Sequence, residues 1–193
     1  MQQQTSALAA KLAEIGELFQ QAAASGYPAQ IEQAAVAIGD ALATGHKLLA
    51  FGNGGSATDA QHFCGELVVR FQTHRRALAA IALVSDSAVL TACANDYSYR
   101  EIFARQIEAL GQPGDVAFAL STSGSSPNVI RALEVARERG LVAILMTGPH
   151  PGPAREFCDL VVAAPGDSTA RIQEMHLAGY HLIAELLDLR FPA

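Results

Sequence analysis

The chain has 193 residues, half of them hydrophobic, and a formal net charge of -6. That is enough sequence for one domain, 1–193, with a buried core, and too little for two. The lack of a basic excess argues against a partner gripped along its phosphate backbone, so no direct nucleic-acid partner is expected.

The amino terminus, "MQQQTSALAAKLAEIG", lacks the basic start and apolar run of a secretory signal. Nowhere do about eighteen apolar residues run uninterrupted, so a cytoplasmic protein with no membrane partner is expected. Residues 1–45 carry apolar positions at helical spacing, broken by "SGYP" at 25–28, which predicts a helical hairpin. Beyond Gly45 short apolar runs alternate with helical stretches. "KLLAF", "LAAIAL", "DVAFAL", "LVAILM" and "DLVVAA" each have the length of a buried strand, and helices are expected near 56–70, 87–94, 99–110, 127–139 and 169–189. This alternation predicts an α/β fold, a mainly parallel sheet over 46–193 covered on both faces, with ligands beyond the carboxyl ends of the strands. The cysteines Cys64, Cys93 and Cys158 are odd in number and widely spaced, and are read as buried small hydrophobes in a reducing compartment.

The first strand runs into "GNGGSATDAQHFCGEL", in which Gly52, Gly54 and Ala57 satisfy a dinucleotide fingerprint. The acidic residue such a site needs about twenty positions on, to hold a ribose, is missing, and no nucleotide cofactor is expected. On the helix that follows, Ala60, Phe63, Cys64 and Leu67 form one apolar stripe, leaving His62 and Glu66 on nearly the opposite side. A pair four apart is ordinarily a solvated pair, yet Val69 shares its face. In the last helix Ile172, Met175, Gly179, Leu182, Ile183 and Leu186 form one stripe, and Gln173, Leu177, Tyr180 and His181 another. A helix apolar on two sides needs two partners. A second copy of the chain would cover these outward faces and bury His62, Glu66, Gln173 and His181 near a subunit boundary.

"STSGSSPNVI" follows the third strand, with Ser126 as a natural N-cap and Pro127 in the first helical turn. Free N–H groups and the positive end of the helix then face the strand terminus, and the hydroxyls of Ser121, Thr122, Ser123 and Ser126 add donors. That is an anion site suited to a phosphomonoester, with no lysine or arginine of its own.

With both loops in view the chain resembles the sugar isomerase (SIS) domain family and, within it, the bacterial phosphoheptose isomerases. The resemblance runs from about Gly45 to Leu189 and rests on "GNGGSATDAQHFCGEL", "ANDYSY", "GQPGDVAFALSTSGSSPNVI" and "ARIQEMHLAGYH", in that order. It implies a flavodoxin-like, doubly wound, five-stranded parallel sheet and a homotetramer with sites near subunit interfaces, the amino-terminal hairpin serving assembly. It also implies conversion of sedoheptulose 7-phosphate to D-glycero-D-manno-heptose 7-phosphate through an enediol, for heptose biosynthesis. On matching positions, Asn53, Gly54, Gly55, Asn95, Asp96, Glu66 and Gln173 contact the sugar, and Ser121, Thr122, Ser123 and Ser126 the phosphate. Glu66 and His181 act as acid and base, and His62, Glu66, Gln173 and His181 bind one zinc ion per subunit.

Enediol chemistry needs a base, an acid and a stabiliser for the developing oxyanion, which these types supply. Gln173 and His181 are eight apart, about 12 Å by helical rise, near the limit for sharing one ion. The sequence departs from the family at Ala170, where some relatives carry an aspartate, and at "TGPHPGPAREF", which replaces a glycine-rich turn. His46, His74, His150 and His176 match no catalytic position and are read as surface or packing residues. A sister branch of the family serves instead as a non-catalytic tetrameric partner of the replication initiator protein. That branch lacks the acid and base that this chain retains in Glu66 and His181.

Overall fold

The computed structural model describes residues 2–192. Five strands, β1 (Leu48–Gly52), β2 (Ala80–Ala82), β3 (Val116–Ser121), β4 (Val142–Thr147) and β5 (Leu160–Ala163), form one parallel sheet in the order β2-β1-β3-β4-β5. This is the flavodoxin-like order, whose switch point lies between β1 and β3. Each expected strand is present, within a few residues of its apolar run.

The pleat sorts side chains between two cores. On one face, Leu48, Phe118 and Met146 pack with α2 (Tyr27–Ala43), α3 (Gly55–Val68) and α7 (Thr169–Arg190), burying Ile38, Phe63, Leu67, Tyr180 and Ile183. On the other, Leu49, Phe51 and Leu145 meet α5 (Ala104–Leu110) and α6 (Pro127–Glu138) through Phe103, Ile107 and Leu133. Each such side chain, fully buried, contributes about 1.5–3 kcal/mol.

Two expectations need correction. The helix expected over 99–110 is broken: α4 (Ser87–Asp96) is followed by a 3-10 turn at Tyr99–Glu101, and only then by α5. The tighter turn places the neighbours Ile102 and Phe103 both in the core, while the Tyr99 hydroxyl donates to Asn53 Oδ1 at 3.0 Å. In α7, Tyr180 is fully buried while Leu182 and Leu186 are exposed. The helix is wedged against both α2 and α3, so its buried arc runs through Met175, His176, Gly179, Tyr180 and Ile183 and divides the expected stripes. Among the histidines read as surface or packing residues, His176 has no exposed surface.

The amino-terminal region forms α1 (Gln2–Ala23) and α2 as expected. Along the described part of α1 the side chains are exposed, apart from buried Ala22 and half-covered Ile15 and Leu18. Cys64 and Cys93 are buried and Cys158 is half-buried, all three as free thiols. No helix among the described residues is long and apolar enough to cross a membrane.

Candidate active site

Two loops leave the sheet at the switch point, after β1 and after β3, and the side chains of Asn53 and Asn128 lock them together. Asn53 Nδ2 donates to Asn128 Oδ1 at 2.9 Å, and Asn128 Nδ2 returns a bond to Asn53 Oδ1 at 2.8 Å. Asn128 is buried, so this amide pair fixes the spacing of the loops. The sequence reading missed it, since only closure of the fold brings together residues 75 positions apart. It also occupies the Asn53 side chain, which was expected at the sugar.

In the loop after β3, Ser121 is buried and its Oγ accepts from the Gly124 N–H at 3.2 Å, while Ser123 and Ser125 share a hydroxyl bond at 2.8 Å. Ser126 occupies the cap position of α6 with extended backbone, but its hydroxyl makes no capping bond. That corrects the expected cap: Asn128 Oδ1 accepts from the Val129 N–H instead. The Ser126 hydroxyl thus stands without a capping bond next to the positive end of a twelve-residue helix. Gly124 has a φ of +59°, and a side chain there would run into the Pro151 carbonyl. The "TGPHPGP" segment therefore packs directly on the serine loop, and the Ala154 N–H donates to Gly124 O at 3.0 Å.

The second half of the site lies on α3 and α7. His62, Glu66 and His181 offer ligand atoms that all lie within 4.8 Å of one another. His62 Nε2 is 3.0 Å from Glu66 Oε1 and 3.4 Å from His181 Nε2. Adjacent ligands on a tetrahedral ion at zinc distances are about 3.3 Å apart, so the donor set and its spacing fit such a cation.

Arg75 helps to hold Glu66 in place. Its guanidinium donates to the Glu66 and Leu67 carbonyls at 2.7 and 2.9 Å, closing the end of α3, and to Asp188 Oδ1 on α7 at 2.8 Å. Behind the triad, the Tyr180 hydroxyl stands 2.9 Å from His62 Nδ1 and 3.4 Å from Asp59 Oδ1. Burial and the adjacent His62 push the His181 pKa down, with Glu66 opposing, which favours a neutral imidazole able to accept a proton. Burial raises the Asp59 carboxyl, against the Tyr180 hydrogen bond and His62.

Other expected residues are placed as follows. Gln173 lies with its amide against Gly55, where a Cβ would clash with it, so the glycine makes room for the amide at the start of α3. Gly54 takes a φ of +57° at the α3 cap position. Asn95 and Asp96 sit at the end of α4, exposed, with Asn95 Nδ2 donating to Asp96 Oδ1 at 2.9 Å. Ala170 lies beside α1, lining a groove of about 960 Å³ between that helix and the segment 165–171.

A family model described as "SIS domain" matches residues 12–148. The phosphoheptose isomerase of Paramagnetospirillum magneticum is 56% identical over 149 residues, 77% of this chain and 78% of that relative. Among solved structures, the phosphoheptose isomerase of Neisseria gonorrhoeae superposes with a TM-score of 0.89 at 38% identity, covering 96% of this chain and 98% of that one. That of Francisella tularensis gives 0.91 at 33% identity, with the same coverage.

Proposed function

The chain belongs to the SIS-domain family, and from that membership we propose that it is an aldose-ketose isomerase converting sedoheptulose 7-phosphate to D-glycero-D-manno-heptose 7-phosphate. The observation that carries the reading is the meeting of His62 and Glu66, on the helix α3 that begins at the sheet's switch point, with His181 on α7 packed beside it. The serine loop takes the phosphate through the hydroxyls of Ser121, Thr122, Ser123 and Ser126 and the free N–H groups of α6. Hydrogen bonds to a charged group are worth about 1.5–3 kcal/mol each, so three or four hold a phosphate against its hydration.

His62 lies seven residues beyond Gly55, about 10 Å along α3 by rise. The sugar chain extends from its phosphate at the serine loop after β3 toward its carbonyl at that level of α3. Gln173, Gly54 and Gly55 line the path between, with Asn53, Asn95 and Asp96 at its rim.

At the carbonyl end, Glu66 and neutral His181 move the proton between C1 and C2, one removing it and the other returning it. Glu66 Oε1 faces His62, which leaves Oε2 for the proton. One zinc ion per subunit would be held by His62, Glu66 and His181, with Gln173 as the fourth ligand that the family resemblance implies. When bound, it supplies Lewis-acid polarisation of the carbonyl and hydroxyl oxygens.

The enzyme is read as a homotetramer with α1 serving assembly. Supporting this are the exposed stripe Leu8, Leu12 and Phe19 on α1, exposed Val69 at the end of α3, and exposed Leu177 and Leu189 on α7. A monomer by light scattering would remove it. The reading as a non-catalytic partner of a replication initiator finds no support: the relatives above carry an isomerase name, and Glu66 and His181 stand in working distance of His62.

The decisive test is turnover of sedoheptulose 7-phosphate by metal-stripped protein and after zinc is restored, with the aldose product followed by NMR. Product formed only with zinc supports both the isomerase and its metal. No product in either state, from folded oligomeric protein, overturns the function.

A further inference from the structure

A neutral imidazole carries one N–H, and in this structure two carboxylates compete for the one on His62. Glu66 Oε1 faces Nε2 directly at 3.0 Å, on the more open side, where the two side chains keep 45% and 22% of their exposure. Asp59 competes from the other side through the Tyr180 hydroxyl, which is 2.9 Å from Nδ1 and 3.4 Å from Asp59 Oδ1. Tyr180 has no exposed surface and its ring is packed on Phe63, His62 and His181, so the hydroxyl is held in place. A phenol has a single proton and a carboxylate only accepts. Tyr180 therefore donates to Asp59 and accepts from His62 Nδ1–H. That leaves the Nε2 lone pair directed at Glu66 Oε1 and His181 Nε2, where a cation would sit.

We propose that Asp59 and Tyr180 are positioning residues that fix His62 in its Nδ1–H tautomer and so prepare Nε2 as a ligand for a divalent cation held with Glu66 and His181. The inference rests on the metal reading given above, but its tautomer component stands independently of it. Without the Tyr180 hydroxyl, Nδ1 loses its acceptor and the proton moves to Nε2, where Glu66 Oε1 accepts its hydrogen bond. A cation must then displace that proton before it can bind. Asp59 lies one turn before His62 on α3, and its Oδ2 is buried without a hydrogen-bond partner. The carboxylate is thus committed to the Tyr180 side, with no competing contact to turn it.

The test uses the full-length protein with zinc alone as ligand. Tyr180→Phe removes only the hydroxyl and retains the ring; Asp59→Ala leaves the ring untouched and carries the test if the first variant folds poorly. Zinc affinity, measured against a chromophoric chelator, is expected to fall 10- to 100-fold in either variant, the usual loss on removing a residue that orients a metal-ligating histidine. Asp59→Asn, which keeps an acceptor oxygen, should recover part of it. In metal-free protein, nitrogen-15 NMR of His62 should show protonated Nδ1 in the wild type and protonated Nε2 in Tyr180→Phe.

An unchanged tautomer overturns the proposal, even if affinity falls, since the loss would then come from packing. Wild-type affinity in both variants overturns it as well. Wild-type protein that binds no zinc, or a His62→Ala variant that binds as tightly, would instead refute the metal reading, with the tautomer measurement still deciding the role of Tyr180.

Discussion

His176 should make the stability of this protein fall as the pH drops below the usual histidine range. The side chain has no exposed surface, neither ring nitrogen has a well-formed hydrogen bond, and burial lowers its pKa to about 4, the nearby Thr147 backbone opposing only part of that. The unfolded chain takes up a proton near pH 6.5, whereas the folded chain resists until about pH 4. Stability from this group is therefore complete above pH 6.5 and is lost progressively down to about 4. Each pH unit in that window costs about 1.4 kcal/mol, so about 2 kcal/mol is gone at pH 5. His181, also lowered, adds a loss of the same sign, and the raised Asp59 carboxyl acts in the opposite sense. Both remain in a His176→Leu variant, which keeps nearly the same volume without the titrating ring. Urea unfolding of metal-free protein at pH 7.5 and 5.0, at fixed concentration, should show the wild type losing about 2 kcal/mol more than the variant. Equal losses would refute the reasoning, because they would mean that His176 is charged or solvated in the folded state.

Glu66→Gln retains shape and sugar-phosphate binding but lacks the proton acceptor, so turnover should fall about a hundredfold or more, as for loss of a general acid or base. A variant with normal kcat at saturating zinc would remove Glu66 from the chemistry. Replacing Ser121 and Ser123 together by alanine should raise KM far more than it lowers kcat, and should weaken binding of inorganic phosphate measured by calorimetry. Unchanged phosphate affinity would place the anion elsewhere.

Sequence patterns carry the fold because each strand's apolar run and each helix's periodicity are local properties. The stripe Ala60, Phe63, Cys64 and Leu67 is buried as read, with His62 and Glu66 off it. Local patterns fail where one element meets several others. Tyr180 shares an angular sector with Gln173 and His181, yet the packing of α7 against α3 buries it completely. Ser126 has the type and position of a helix cap, but Asn128 supplies the acceptor from within the helix and displaces it.

The same distinction separates the residues of the site that could be read from those that could not. Glu66 and His181 are chemical types whose spacing on their own helices is visible in a string of letters. Asn128, Arg75, Asp59 and Tyr180 act across 75, 113 and 121 positions of chain, and each is an unremarkable residue until the sheet closes. These partners orient the groups expected to meet the substrate. Arg75 ties the end of α3 to Asp188 while gripping the Glu66 carbonyl, so a disturbance at the end of α7 reaches Glu66 through one guanidinium. Tyr180 joins the core beside Phe63 to the His62 ring in the same way. The core that makes the domain stable thus also fixes the geometry of the triad: removing one of these partners is expected to change which atoms of His62 and Glu66 face each other and His181 while leaving all three residues present.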